Sequence, residues 1–236
     1  MPSSDQGPRG RYRAQVRGEI KRAALQQVAS GGAAAVALNG IAKRLGVSGP
    51  ALYKYFGSRD ELLTELIIDG YADLADVVAQ AAEASAGRPA RARLHALAAA
   101  FRGWAVAHPQ SYLLLTGPPS PTYQAPPETV DRARAVLGPF LAALAEGRPG
   151  PGAPALRKQL ARWSDTAPEV AAWVDAFAPD ADADAGAALA GAVTVWARLH
   201  GVIGLEAVGH FAGMGFAPAT LLDAEIDALA DAYGLP

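Results

Sequence analysis

The sequence predicts an all-α protein of about nine or ten helices. Apolar residues recur at helical spacing along most of the chain, and no segment shows the strict alternation of a half-buried strand. Clusters of glycine and proline separate the periodic segments, as is usual for turns between helices. The chain has 236 residues, of which 51% are hydrophobic and 19% charged, so it is long and apolar enough to bury a core.

The first three predicted helices lie in the N-terminal quarter of the chain. The first has apolar residues four positions apart, at Val16, Ile20, Ala24 and Val28. The Gly31-Gly32 pair that follows is expected to end it. A second helix is predicted over 38–45. Ser48 is expected to cap the third, with Pro50 tolerated in its first turn.

A long fourth helix is predicted to open with a capping box, Ser58 to Glu61, and to run to about Ala84. Later helices are separated by loops rich in proline and glycine, predicted at 116–127, 147–154 and 179–185. Gly138-Pro139 is expected to kink or interrupt the helix that contains it.

The last two helices are predicted at about 185–209 and 218–233. The first of them is apolar nearly all round and is therefore expected to be buried on more than one side. Gly201 and Gly204 within it are unfavourable for a helix on propensity grounds, which indicates close packing against another helix.

The charge distribution is uneven. Residues 1–59 contain ten basic and two acidic residues, a net charge of +8, and the remainder contains eleven basic and twenty-one acidic residues, a net charge of −10. A basic segment joined to an acidic one favours a polyanion-binding module. A merely uneven solvated surface is the alternative.

The segment from Leu38 to Phe56 has the pattern of a helix-turn-helix. Ile41, Ala42 and Leu45 form the inner face of its first helix, Gly46 permits a left-handed turn, and Val47 is expected to fill the angle between the helices. Ala51, Leu52 and Phe56 are predicted to face inward from the second helix, which would then enter a DNA major groove. The alternative is an ordinary corner between two helices. The outer edge of the second helix consists of Ser48, Gly49, Pro50, Tyr53, Lys54 and Tyr55.

Residues 41–63, IAKRLGVSGPALYKYFGSRDELL, closely resemble the DNA-binding domain of the TetR family of transcription regulators. The sequence AHPQSY at 107–112 and the pattern from Trp196 through His200-Gly201 to Glu206 resemble the subgroup whose C-terminal domain is named for a Trp-His-Gly motif. The resemblance implies a DNA-binding domain at 1–59 and a ligand-binding and dimerisation domain at 60–236.

The resemblance further implies a homodimer that binds a pseudo-palindromic operator in double-stranded DNA, with one recognition helix in each half-site. The family's DNA-contacting positions correspond here to Asn39, Ser48, Gly49, Pro50, Tyr53, Lys54, Tyr55 and Arg59. Arg9, Arg11 and Arg13 are expected to form a flexible basic arm along the DNA. A solvated, disordered tail is the alternative.

Ligand pockets in this family are lined by apolar and aromatic residues, and pockets in general combine apolar walls with a few polar anchors. The residues expected here are Phe101, Trp104, Tyr112, Phe140, Trp173 and His200. Core packing is the alternative for most of the aromatics, and a structural role is the alternative for His200. No charged residue stands out as an internal anchor, which favours a neutral or apolar small-molecule effector.

Several classes of function are not expected. The chain has no cysteine, and its four histidines lack carboxylate partners at metal-ligand spacing, so neither a metal site nor a cofactor is predicted. No catalytic motif is present, which argues against an enzyme. No apolar run long enough to span a bilayer and no secretory signal are expected, so a cytoplasmic location is predicted. The resemblance further favours a repressor that a small-molecule effector releases from its operator. An activator or a regulator without a ligand remains the alternative.

Overall fold

The computed structural model describes residues 7–117, 123–148, 150, 152, 154–179 and 184–236. These residues form eleven α-helices and one short 3-10 helix, without a strand, so the predicted all-α class is confirmed. The helices are α1 Pro8–Gly31, α2 Leu38–Leu45, α3 Gly49–Tyr53, α4 Arg59–Ala84, α5 Ala90–Ala107, α6 Pro109–Thr116, α7 Pro127–Ala145, α8 Pro154–Thr166, α9 Pro168–Phe177, α10 Ala185–Ala207 and α11 Pro218–Ala232. The predicted loops at 116–127, 147–154 and 179–185 lie partly outside the described residues.

Proline begins more than half of these helices. The ring fixes a backbone angle that suits the first helical position, where the missing N–H would have no partner inside the helix. The same proline ends the preceding segment, since it restricts the residue before it. The six helices that begin in this way do so at Pro8, Pro109, Pro127, Pro154, Pro168 and Pro218.

The chain divides into two compact units. The first unit contains residues 1–70 and 110–127, and the second contains 71–109 and 128–236. The boundary therefore falls inside α4, whose beginning belongs to the first unit, and α6 belongs to the first unit as well.

Helix α10 packs against α8, α11, α5 and α9 in the second unit. Every residue of 186–192 is buried, but Val193, Gly201, Leu205 and Val208 are exposed. The expectation of burial on more than one side therefore holds only for the first two turns. The expectation that no apolar run could span a bilayer is also wrong, because α10 is long and apolar enough to do so by length and composition alone. Half of the most apolar stretch of α10 is nevertheless buried inside the protein.

Helix α7 runs through Gly138-Pro139 without interruption, so of the two predicted outcomes, a kink or an interruption, the interruption does not occur. Proline inside a helix costs about 3 kcal/mol, and the residues that surround it here, Val136, Phe140 and Leu141, are fully buried. Their packing outweighs the lost hydrogen bond. Gly138 is needed at this point, because a Cβ there would lie 2.3 Å from two ring carbons of Phe177 on α9.

We predict that Gly138→Ala destabilises the protein by about 1–3 kcal/mol, because the added methyl group would force the Phe177 ring out of its place. Chemical denaturation followed by circular dichroism measures the change. The matched control is Gly103→Ala on α5, where a Cβ meets no atom within 4 Å. This control should stabilise by up to about 1 kcal/mol through helix propensity. Equal effects of the two substitutions would contradict the packing role of Gly138.

Candidate DNA-binding surface

Helices α2 and α3 are joined by a tight turn centred on Gly46. Gly46 adopts a left-handed conformation, with φ 69° and ψ 23°, which a residue with a Cβ rarely adopts. The N–H of Val47 donates to the carbonyl of Ala42 at 3.0 Å and closes the turn. This arrangement is a helix-turn-helix, in which α3 is the second helix.

Four of the seven residues predicted to face inward form the interior of the helix-turn-helix, while Leu45 and Ala51 are only half-buried. Ile41, Ala42, Leu52 and Phe56 are buried to at least 98%. Val47 was expected to fill the angle between the helices, but 40% of it is exposed. Because Val47 directly follows the turn at Gly46, its side chain is free to point into solvent while Leu52 fills the interior.

Both predicted helix caps are present. The Oγ of Ser48 accepts a hydrogen bond from the N–H of Ala51 at 3.3 Å, and the Oγ of Ser58 accepts one from the N–H of Glu61 at 3.0 Å. The Glu61 carboxylate accepts from the N–H of Gly57 at 2.6 Å rather than from that of Ser58, so the capping box is shifted outward by one residue. These bonds fix the starts of α3 and α4.

The predicted contact residues share one exposed surface around α3. Asn39, Ser48, Pro50, Tyr53 and Lys54 are exposed. Gly49 is half-buried beside Asn39, whose Oδ1 would lie 3.3 Å from a Cβ at Gly49. Tyr55 is half-buried just beyond the end of α3. This surface presents amide, hydroxyl and ammonium groups that can donate hydrogen bonds to phosphates and base edges.

Arg59, the last predicted contact residue, is engaged within its own domain. Its Nε donates to the carbonyl of Val36 at 3.1 Å, and a terminal nitrogen donates to the carbonyl of Ala33 at 2.7 Å. It also forms an ion pair with Asp60 at 3.3 Å. Arg59 therefore anchors the segment between α1 and α2 to the start of α4.

Arg17 is a structural residue of this surface that the sequence analysis did not identify. Its guanidinium donates to the carbonyl of Tyr55 and to the carboxylate of Glu65, and it lies 4.2 Å from the centroid of the Phe56 ring. One turn further along α1, Lys21 pairs with Glu65 at 3.1 Å and with Asp69 at 2.7 Å. The sequence does contain a signal for these pairs. Arg17 and Lys21 are four residues apart on one helix, Glu65 and Asp69 are four residues apart on another, and each pair therefore lies on one face of its helix.

These ion pairs reduce the number of cations within residues 1–59 that can bind DNA. Glu65 and Asp69 lie outside residues 1–59 and neutralise Arg17 and Lys21, so these two cations are not available to DNA. Lys43, Arg44 and Lys54 remain exposed beside the turn or at the end of α3. The exposed cations of residues 7–59 are therefore divided between the helix-turn-helix and α1, which carries Arg9, Arg11, Arg13 and Arg22.

The residues proposed from sequence to line a ligand pocket do not all come together. Tyr112 belongs to the first unit, where it is fully buried, and burial raises its pKa. The other five belong to the second unit. Of these, Phe101 contacts His200 edge-to-face with ring centroids 5.6 Å apart, and Trp173 donates from Nε1 to the carbonyl of Arg134 at 3.0 Å.

Trp196, which was not among the proposed pocket residues, completes an aromatic cluster. Its ring centroid lies 4.1 Å from that of His200 and 6.2 Å from that of Phe101. Burial lowers the pKa of His200 to about 4, so the imidazole is neutral at physiological pH. The signal for Trp196 was its spacing of four residues from His200 on one helix.

A helix-turn-helix whose second helix exposes tyrosine and lysine defines a DNA-binding protein of the regulator class. A family model described as bacterial regulatory proteins, tetR family, matches residues 20–66. A second model, described as tetracyclin repressor-like, C-terminal domain, matches residues 94–229, more than half of the chain. The chain belongs to the TetR family of bacterial transcription regulators, and it is a regulator rather than an enzyme.

Individual relatives agree with this assignment. The HTH-type transcriptional regulator Rv1816 of Mycobacterium tuberculosis is 42% identical over 142 residues, which span 60% of this chain and 61% of that protein. The crystal structure of SCO4313, a protein assigned a regulatory role, is 44% identical with a TM-score of 0.77 and covers 95% of this chain and 100% of that chain. A tetR family regulator from Rhodococcus RHA1 has the same fold at 14% identity, with a TM-score of 0.62 over 94% of this chain and 98% of that chain.

We predict that Arg17→Met destabilises the protein by about 1–3 kcal/mol, because the Tyr55 carbonyl and the Glu65 carboxylate lose charge-assisted hydrogen bonds. Thermal and chemical denaturation measure the effect. Arg22→Met is the matched control, since Arg22 is exposed on the same helix, and it should change stability by no more than about 0.5 kcal/mol. A loss no larger than that of the control would show that Arg17 does not hold the end of α3.

Proposed function

We propose that the protein is a cytoplasmic, homodimeric repressor that binds a pseudo-palindromic operator and is released from it by a small neutral or apolar molecule. The observation that carries the ligand response is the Nε1 of Trp104. This indole N–H is buried on α5 and has no hydrogen-bond partner among the described residues. A buried donor without a partner costs about 1–3 kcal/mol, and a ligand acceptor would supply that partner.

The proposed DNA contacts follow from the exposure of each side chain. Lys54 would donate to a guanine or to a phosphate, and Tyr53 would offer its hydroxyl to a phosphate or its ring to a thymine methyl group. Gly49 and Pro50 would permit close approach of the backbone. The polar groups of Asn39, Ser48 and Tyr55 would position the helix on the phosphates around the groove. Arg59 would support this surface through its bonds to the carbonyls of Val36 and Ala33, and only its remaining N–H groups would reach a phosphate.

The chemistry of the second unit supports a neutral effector. Arg102 pairs with Glu206, Arg198 with Glu225, and Arg157 with Asp184. These cations already have counter-charges, and His200 is neutral. A ligand beside Trp104 and the aromatic cluster would therefore meet aromatic walls, the indole N–H of Trp104 and a neutral imidazole rather than a charged anchor.

The regulatory step requires that the ligand favour a conformation that does not bind DNA. Helix α6 follows α5 directly and belongs to the first unit, as does the beginning of α4. Within that unit, Thr64 of α4 is hydrogen-bonded to the Tyr123 hydroxyl at 2.8 Å, and a Cβ at Gly70 would lie 3.3 Å from the Leu115 side chain. Within the first unit, a shift of α6 would therefore reach α4 through Leu115.

The exposed stripe of α10 supports the homodimer. Val193, Leu205 and Val208 are 41%, 43% and 56% exposed, and Gly201 lies between them with no atom within 4 Å of a Cβ. Their spacing places these residues on one face of the helix. A contiguous apolar face of this kind indicates an interface, and a second copy of α10 and α11 is the proposed partner.

We predict that Gly201→Leu dissociates the dimer without unfolding the subunit, because the space above Gly201 is empty within one chain and would be filled only by the partner. Sedimentation velocity at micromolar concentration measures the oligomeric state. Gly103→Leu on α5 is the matched control, since its Cβ also meets no atom within 4 Å. A wild-type monomer, or a dimer that persists in Gly201→Leu, would contradict this interface.

We predict that Lys54→Ala weakens operator binding by about 1–3 kcal/mol and relaxes the preference at one base pair if Lys54 contacts a guanine. If Lys54 contacts only a phosphate, the loss of affinity should be the same for all DNA sequences. The slope of log K against log salt concentration should then become shallower by about one unit per subunit. Titrations of a footprinted operator at two salt concentrations separate these results. Tyr53→Phe tests the tyrosine hydroxyl in the same assay. Unchanged affinity in both variants, with the fold intact, would show that the recognition face lies elsewhere.

The ligand response is tested on an operator identified by footprinting upstream of the protein's own gene and its neighbours. Neutral compounds that carry a hydrogen-bond acceptor are first screened by thermal shift on the purified protein. We predict that a stabilising compound releases the operator, and that Trp104→Phe needs a higher concentration of that compound for release. In the absence of the compound, Trp104→Phe should bind the operator with the same affinity as the wild-type protein. Stabilisation without release would contradict the repressor mechanism, and an equal response in Trp104→Phe would exclude the indole N–H as the anchor.

A further inference from the structure

A cavity of about 340 Å³ lies in the second unit between α8, α10, α11 and the residues just before α8. Ligand pockets in proteins have volumes from about 300 Å³ upward, so this space suits a small organic molecule. It is separate from the aromatic cluster, since neither Trp104 nor any residue of that cluster lines it. Side chains from three helices form most of its walls: Leu156, Arg157, Ala190, Thr194, Arg198 and Leu229.

Hydrogen bonds and close contacts hold the walls of this cavity in place. The hydroxyl of Tyr233, just beyond the end of α11, donates to the carbonyl of Ala187 at 2.9 Å. A Cβ at Gly191 would lie 2.9 Å from the same hydroxyl, so a glycine is needed there for the ring to lie against α10. The N–H of Gly150 donates to the carbonyl of Ala232 at 3.0 Å and holds the segment before α8 at the end of α11. The cavity is therefore a fixed feature of the fold.

Two arginines line the cavity, but their carboxylate partners do not. Arg157 pairs with Asp184. Arg198 donates from one terminal nitrogen to the main-chain carbonyl of Glu225 at 2.6 Å and to its carboxylate at 2.8 Å. Asp184 and Glu225 are not among the residues that form the walls. A guanidinium has five N–H donors, and at least three on each arginine have no partner among the described residues.

The other polar side chains of the cavity have no donor left for a ligand. The hydroxyl of Thr194 donates to the carbonyl of Ala190 at 2.7 Å, and the hydroxyl of Tyr233 donates to Ala187. Burial raises the pKa of Tyr233 to about 12, so this hydroxyl stays neutral at physiological pH. No carboxylate of the described residues lines the cavity. The side-chain donors that remain are therefore those of two guanidiniums that already have counter-charges.

A ligand that complements these walls has an apolar body and a hydrogen-bond acceptor, and the acceptor needs no charge because each guanidinium is already paired. Arg198 is the better fixed of the two arginines, since it binds both the main chain and the carboxylate of Glu225. We infer that the cavity between α8, α10 and α11 is a second small-molecule site. It takes a neutral carbonyl compound with a short apolar chain and holds the carbonyl oxygen on Arg198.

This site is independent of the effector site proposed beside Trp104, but it adjoins the proposed subunit interface. Thr194 and Arg198 lie seven and three residues before Gly201, and this spacing places all three on one side of α10. A molecule bound in the cavity would therefore contact α10 next to the stripe that the partner subunit is proposed to cover.

The test measures the binding of two probes to the full-length protein by isothermal titration calorimetry. The probes 2-octanone and 2-aminooctane share one carbon skeleton, but the second has an ammonium group, which only donates, in place of the carbonyl oxygen. We expect 2-octanone to bind, and 2-aminooctane to bind more weakly by about tenfold or more, the value of one hydrogen bond to a charged group. Equal affinity for the two probes would overturn the proposal. So would the absence of 2-octanone binding, which is the result expected if the partner subunit closes the cavity.

Two pairs of variants locate the bound 2-octanone. Thr194→Phe fills the cavity and should abolish binding, whereas Thr194→Val keeps the shape of the side chain and should bind as the wild-type protein does. Arg198→Leu should weaken binding about tenfold. Arg102→Leu is its matched control, since it removes a comparable ion pair with Glu206 outside the cavity, and it should leave the affinity unchanged. Circular dichroism checks the fold of each variant.

The effector site is distinguished by Trp104→Phe, which should bind 2-octanone as the wild-type protein does. A loss in Trp104→Phe without a loss in Thr194→Phe would place the probe beside Trp104. That result would overturn the second site and support the proposed effector site. Equal losses in Arg198→Leu and Arg102→Leu would also overturn the proposal, because they would show that Arg198 does not hold the carbonyl oxygen.

Discussion

The arrangement of the DNA-binding unit depends on the guanidinium of Arg17. One planar group donates to the carbonyl of Tyr55, two residues beyond the end of the recognition helix, pairs with Glu65 on α4 and covers the ring of Phe56. Arginine suits this position because its donors are fixed in one plane and its charge persists at every physiological pH. A lysine could supply the charge, but it could not serve the carbonyl, the carboxylate and the ring in the same geometry.

This constraint explains how a recognition helix of only five residues keeps its orientation. Helix α3 is too short to be stable alone, and it is fixed at its start by the Ser48 cap, on its inner side by Leu52 and at its end by Arg17. The exposed face is left with Tyr53 and Lys54, whose side chains are free to meet DNA. The same division between a fixed inner side and an exposed outer side recurs in α10. Its first turns are buried, and its later turns present Val193 and Leu205 to solvent, followed by Val208 just beyond the helix.

The second unit combines apolar packing with few internal polar groups. Ion pairs neutralise Arg102, Arg157 and Arg198, while the interior contains aromatic rings, a neutral His200 and the unpaired N–H of Trp104. Such an interior accommodates a neutral ligand with a hydrogen-bond acceptor better than a charged ligand. A charged group buried there would lose its hydration without gaining a counter-ion. The proposed effector chemistry follows from this balance.

The sequence alone determined the all-α class, the helix-turn-helix and its buried residues, because each of these is encoded by local signals. Helical spacing, caps at Ser48 and Ser58, and a glycine that permits a positive φ act over a few residues. Tertiary structure decided what depends on distant residues. Arg17 finds Glu65 48 positions away, Pro139 stays inside a helix because its neighbours are buried, and Val47 points outward. It also separated Tyr112 from the other predicted pocket residues and placed Arg11 opposite Arg9 and Arg13, because packing and helix phase, rather than composition, set which side chains share a surface.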